Sequence, residues 1–165
     1  ILSPLDLFRD RDVRVSLPQS ECRLQAPRSD ASTLPFGAPL LWEEGNPLVD
    51  AVIDQRHAAH LLVDTGAGAH LLCRSFAESV LQWTTRAAGH STTAGDPVAV
   101  HRGGKSIFRV ASDPEECSVT LAQECVPDRD ALFPPLGNGY LGLPWFRTRE
   151  VVFSTSRTRM SWSRL

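Results

Sequence analysis

The run Leu61-Leu62-Val63-Asp64-Thr65-Gly66-Ala67 puts a carboxylate at the end of an apolar stretch. Burying a charge is costly unless something compensates it, so this placement asks for a chemical reason. Thr65 offers a hydroxyl that can bond beneath the carboxylate. Gly66 lets the backbone turn sharply and aim an N–H at it. Ala67, Gly68 and Ala69 are small enough to let a second backbone approach. Two carboxylates brought together cannot both ionise, so they share one proton and titrate as a unit. The ionised one can take a proton from water while the protonated one polarises a carbonyl. That is amide hydrolysis with no metal and no cofactor.

Other reactive residue types near this motif point to plainer roles. His57, His60 and His70 fall at turn or alternating positions and lack matching carboxylate or thiolate partners, so no metal site is expected. The four cysteines, Cys22, Cys73, Cys117 and Cys125, contain no C-x-x-C pair. Cys73 lies in an apolar run and is expected as a buried free thiol that packs rather than attacks. Cys117 and Cys125 could bridge each other, or either could bridge Cys22. An even count is compatible with two disulfides and an oxidising location. The chain begins at Ile1, without a Met, and export or anchoring through a missing upstream segment is the expectation for its location.

Several elements must position Asp64. Pro47 to Asp54 reads as a strand, Gln55-Arg56-His57 as its turn, and Ala58 to Val63 as the returning strand, a hairpin that delivers Asp64 at its end. Ala69 to Cys73 continues as a strand. Ser75 to Trp83, with Phe76, Val80 and Trp83 near helical spacing, reads as a short helix capped by Ser75. Val98-Ala99-Val100 and Ile107 to Val110 flank His101-Arg102-Gly103-Gly104-Lys105, which reads as a β-hairpin with a mobile tip. Val119 to Val126 is a further strand. Val151-Val152-Phe153 and Met160-Ser161-Trp162 make a closing hairpin around a polar turn at Ser154-Thr155-Ser156. Asp12 to Leu17 alternates as a strand, and Gln25 to Thr33 reads as a loop. The whole is mainly β with one or two short helices.

A chain of 165 residues suits one domain with a real core. Its 42% hydrophobic and 22% charged residues are ordinary for a globular protein, and the net charge of −2 gives no reason to expect a nucleic-acid partner. Lys105 is the only Lys. No apolar stretch is long enough to span a bilayer.

Val63-Asp64-Thr65-Gly66-Ala67 resembles the D-[TS]-G-[AS] signature of the pepsin and retropepsin aspartic proteases, apolar lead-in included. Three further features resemble that family in the same order. The Gly103-Gly104 hairpin is similar to a substrate-covering flap. Tyr140-Leu141-Gly142 is similar to the apolar-apolar-Gly element that supports the active-site loop. Glu150 to Phe153 and Met160 to Trp162 are similar to the terminal strands of bacterial retropepsin-like domains. The resemblance covers residues 40–165 and leaves 1–39 as an N-terminal extension: an arm, a linker or a pro-segment. It implies a closed β-barrel of the pepsin-lobe kind, a peptide or protein substrate, Asp64 as the catalytic residue with Thr65, Gly66 and Ala67 in support, and His101, Arg102, Gly103 and Gly104 over the substrate.

No second Asp-Thr-Gly or Asp-Ser-Gly occurs. A single copy resembles retropepsins, in which two identical chains each supply one Asp. The expectation is therefore a homodimer, required for activity, with its two-fold axis between the Asp64 carboxylates and the terminal strands forming the dimer sheet. The alternative is a non-catalytic dimerisation or peptide-binding module on the same fold.

Overall fold

The computed structural model describes residues 11–27, 34–43, 46–93, 96–125, 137–154 and 158–165. These residues form a mainly β fold with two short helices. Strands β4 (Asn46–Ile53) and β5 (His57–Val63) make the expected hairpin, with left-handed Asp54 and Gln55 in its turn. Alternation holds from Val49 onward: Val49, Ala51 and Ile53 are buried, while Asp50 and Val52 face out, and Leu48 is buried as well.

Six strands then close into a ring. β5 runs parallel to β10 (Gly139–Leu141), and β10 lies antiparallel to β6 (Leu71–Cys73). β6 runs parallel to β9 (Cys117–Gln123), and β9 lies antiparallel to β8 (Asp96–Val110). β8 returns to β4 through Ala51↔Val110, Val52↔Arg109 and Ile53↔Phe108. That last pairing removes the free edges a sheet of these strands would otherwise expose. Outside the ring, β7 (Arg86–Thr93) pairs, among the described residues, with β8 alone. β3 (Phe36–Glu43) bridges two layers: its first half pairs with β12 (Arg159–Arg164) and its second half with β4. β12 continues to β11 (Arg149–Ser154), then β1 (Asp12–Ser16), then β2 (Glu21–Gln25). Helix α1 (Arg74–Ser79) follows β6, and α2 (Leu143–Phe146) follows β10.

The ring and the outer strands share one core, in which Trp145, Trp162, Phe146, Phe108, Leu61 and Leu141 are almost fully buried. A buried ion cluster fastens them together. Arg149, 1% exposed, bonds Asp113 at 2.9 Å and Glu115 at 2.7 Å, and Asp113 also accepts from Trp162 Nε1, Arg164 and the Glu115 backbone N–H. Asp113 and Glu115 lie between β8 and β9, so the cluster ties that connection to β11 and β12. Every charge in it is met by a partner, the condition under which a buried ion pair holds.

Several expectations need correction. No hairpin tip occurs at Gly103-Gly104; β8 runs through them as one 15-residue strand. The reason is packing: a Cβ on Gly103 would stand 2.7 Å from Trp83 Cε3, and one on Gly104 2.8 Å from Trp83 Cδ1. The two glycines are a bed for the Trp83 ring, and a register shift between Arg102 and Ser106 accommodates it. The strands that pair as a hairpin in this region are β7 and β8, and residues 94–95 between them lie outside the described residues.

Cys73 is not a free thiol. It is disulfide-bonded to Cys125, with Cα atoms 5.1 Å apart, while Cys22 and Cys117 are free. Ser75 does not cap α1; Cys73 precedes the helix and no side chain caps it. Within the chain, β11 lies between β1 and β12, and β12 between β11 and β3. Most of the loop expected at Gln25 to Thr33, Val126 of the expected strand, and Thr155-Ser156 of the polar turn lie outside the described residues.

Candidate active site

Asp64 follows directly on β5, where the chain leaves the ring. Its backbone N–H donates to Leu141 O at 3.1 Å, and one carboxylate oxygen accepts the Gly66 N–H at 2.8 Å. A Cβ on Gly66 would lie 3.1 Å from that same oxygen, a tight contact that glycine avoids. Thr65 is exposed rather than packed beneath the carboxylate, so within one chain the Gly66 amide holds Asp64.

The loop after Asp64 is clamped from below. Leu143 N–H donates to Ala67 O at 2.7 Å, and Gly142 N–H donates to His70 Nδ1 at 3.2 Å. A Cβ on Gly142 would lie 2.1 Å from Ala69 O and 2.8 Å from Ala67 O, so only glycine lets the two segments touch. The element Tyr140-Leu141-Gly142 thus carries the Asp64 loop on its back. β10 sits between β5 and β6, the strands on either side of that loop, which is what makes the clamp possible.

His70 is buried, edge-on to Phe108 with ring centroids 5.0 Å apart. Burial first, then the Arg149 charge, lowers its pKa from 6.5 to about 4. The ring is therefore neutral near pH 7 and can accept the Gly142 N–H.

Asp64 opens onto a cleft of about 590 Å³. Its floor includes Gly66, Ala67 and Tyr140; its far wall is Gly89 and His90 of β7 with Val100 and Arg102 of β8. Burial raises the Tyr140 pKa, and the nearby Asp64 charge raises it further, so the phenol keeps its proton as a neutral neighbour of the carboxylate.

No protein-family model matches this chain, and no curated protein matches it. Solved structures do resemble it. One is a retropepsin-like aspartic protease from Rickettsia conorii, 14% identical, overlapping 77% of this chain and 89% of that one at a TM-score of 0.47. Another is Basic 7S globulin from soybean, 12% identical, overlapping 92% of this chain and 50% of that one at a TM-score of 0.46. The functional reading rests on this chain's own residues.

Of the residues expected over the substrate, Arg102 lines the cleft. His101 points to the opposite face, as strand alternation dictates, with Nε2 3.3 Å from Glu124. Gly103 and Gly104 face Trp83. The sequence reading missed the β7 wall, since Ala87-Ala88-Gly89 has neither the bulk nor the alternation that marks a strand. It also missed His70 as a strut. The only available signal was its closeness to the Asp64 motif, which does not by itself specify a supporting role.

Among the described residues no group of His, Cys, Asp and Glu is placed to hold a metal ion, and no helix is long and apolar enough to cross a membrane.

Proposed function

We propose that this chain is one half of a retropepsin-like aspartic endopeptidase, with Asp64 as its catalytic carboxylate. The observation that carries the reading is the Asp64 loop itself. Its carboxylate is held by the Gly66 amide at the mouth of a cleft, and its backbone is clamped on Gly142. Rigid support of a reactive group beside an open cleft is what catalysis needs and a structural turn does not.

Thr65, Gly66 and Gly68 are exposed around Asp64, leaving the loop open to a second copy. In a homodimer the two Asp64 groups meet across the two-fold axis and share one proton. A water between them gives its proton to the ionised carboxylate and attacks the peptide carbonyl, which the protonated carboxylate polarises. The substrate lies extended between the loop and the β7–β8 wall, its alternate side chains entering the cleft. Since β11 and β12 are already paired on both sides, the dimer contact forms around the Asp64 loop rather than through a shared sheet of those strands.

Cleavage of an unstructured protein, measured at acidic and neutral pH beside Asp64→Asn, tests this. The expected loss in the variant is about 10²–10⁴-fold or more, with its thermal melt unchanged. Sedimentation of the same samples checks the dimer. A dimer showing no Asp64-dependent cleavage anywhere in that pH range would instead be a peptide-binding module.

A further inference from the structure

Arg86 and Arg102 face one another directly across the β7–β8 pair. Directly opposed residues project to the same side of a sheet, and like charges so placed repel. Neither guanidinium has an acidic partner among the described residues. Two acids nearby are already committed: Glu78 bonds Arg74 and Thr85, and Glu124 bonds Arg74. With a net charge of −2 the chain has acids to spare, so an unmet pair of arginines is not a by-product of a basic surface.

Their position gives the repulsion a use. Both arginines line a hollow of about 610 Å³, walled by small residues such as Ala87, Ala88 and Gly103. Arg102 and Ala88 also line the cleft that holds Asp64, so the two cavities are neighbours with Arg102 common to both. Thr84 adds a hydroxyl. Two forked guanidinium groups and a hydroxyl around a small-walled hollow suit a carboxylate, which accepts paired N–H bonds from arginine.

We propose that Arg86 and Arg102 form a subsite that takes an acidic side chain of the bound peptide, at one position to the side of the bond facing Asp64. This rests on the reading of Asp64 as a protease residue, but concerns binding rather than bond cleavage.

The test uses peptides that carry Glu, Gln or Lys at each position in turn around a cleaved bond. For the wild type, kcat/KM should favour Glu over Gln by about tenfold at one position, less at high salt. The preference should vanish in Arg86→Ala/Arg102→Ala and turn toward Lys in Arg102→Glu. In parallel, Asp64→Asn protein is titrated with the labelled peptides, and fluorescence anisotropy should show the same Glu preference, lost when the two arginines are replaced. Equal binding of Glu and Gln peptides, or a preference that survives the double replacement, overturns the subsite even if cleavage is Asp64-dependent. A Glu preference in binding without cleavage upholds the subsite while the endopeptidase reading fails.

Discussion

His70 shows how much one side chain can carry at this site. Its Nδ1 accepts the Gly142 amide, so the bond exists only while that nitrogen is unprotonated. In the unfolded chain the ring takes a proton near pH 6.5; in the native protein burial and Arg149 delay this to about pH 4. Between those values the unfolded state binds more protons, so stability rises with pH. The contribution is complete above about pH 6.5 and is lost as the pH falls toward 4, by up to about 3 kcal/mol. Urea melts at pH 7, 5.5 and 4.5 should show this loss in the wild type. His70→Asn, which does not titrate, should have a flatter profile. Parallel profiles for the two proteins would mean that His70 is not the titrating strut. Asp64 itself needs no such device, because the Gly66 amide already fixes it.

At the scale of elements, β8 is the strand whose character differs most from the sequence reading. Gly-Gly between two apolar runs has the chemistry of a turn, and the local pattern gives nothing against it. What keeps the strand continuous is Trp83, brought over it by the chain that follows α1. The ring settles on both glycines, and Trp83 Nε1 donates to Ser106 Oγ at 3.2 Å, which in turn bonds Asp54 at 2.7 Å. Gly104→Ala should therefore cost about 1–3 kcal/mol, the range for overpacking a filled site, with a shift in tryptophan emission. Chemical denaturation measures it. A cost under about 0.5 kcal/mol, as expected of an exposed turn, would remove the bed from the account. By contrast β4 and β5 pair as their apolar pattern and turn predict, and β11 pairs with β12 as expected, because those signals come from neighbours along the chain.

For the molecule as a whole, ring closure sets the geometry of the cleft, and its seams are unequal. β4 and β5 share six residue pairs, whereas β6 and β9 share only Leu72↔Ala122 and Cys73↔Gln123. The Cys73–Cys125 disulfide lies at the end of that short seam and joins residues 52 apart. A crosslink over such a loop restricts the unfolded chain by about 4 kcal/mol in the chain-entropy account. Thermal melts with and without a reductant should show a fall of that order in the wild type. Cys73→Ala/Cys125→Ala should start lower and ignore the reductant. A wild type indifferent to reductant would show that the seam holds by hydrogen bonds and packing alone. Cys117 would not take over, since burial pushes its thiol pKa up to about 11 and keeps it protonated.

By itself the sequence determined the placement of Asp64 at the end of a buried strand, the glycine beside it, the hairpin before it and the mainly β character. All of these follow from periodicity and turn chemistry over a few residues. The tertiary structure decided the partner of Cys73, the filling of both edges of β11 and β12, the Trp83 bed, the His70 strut and the opposition of Arg86 to Arg102. Each depends on register and packing between segments distant in the chain. Those are fixed only when the ring closes, and nothing in the local run of residues encodes them separately.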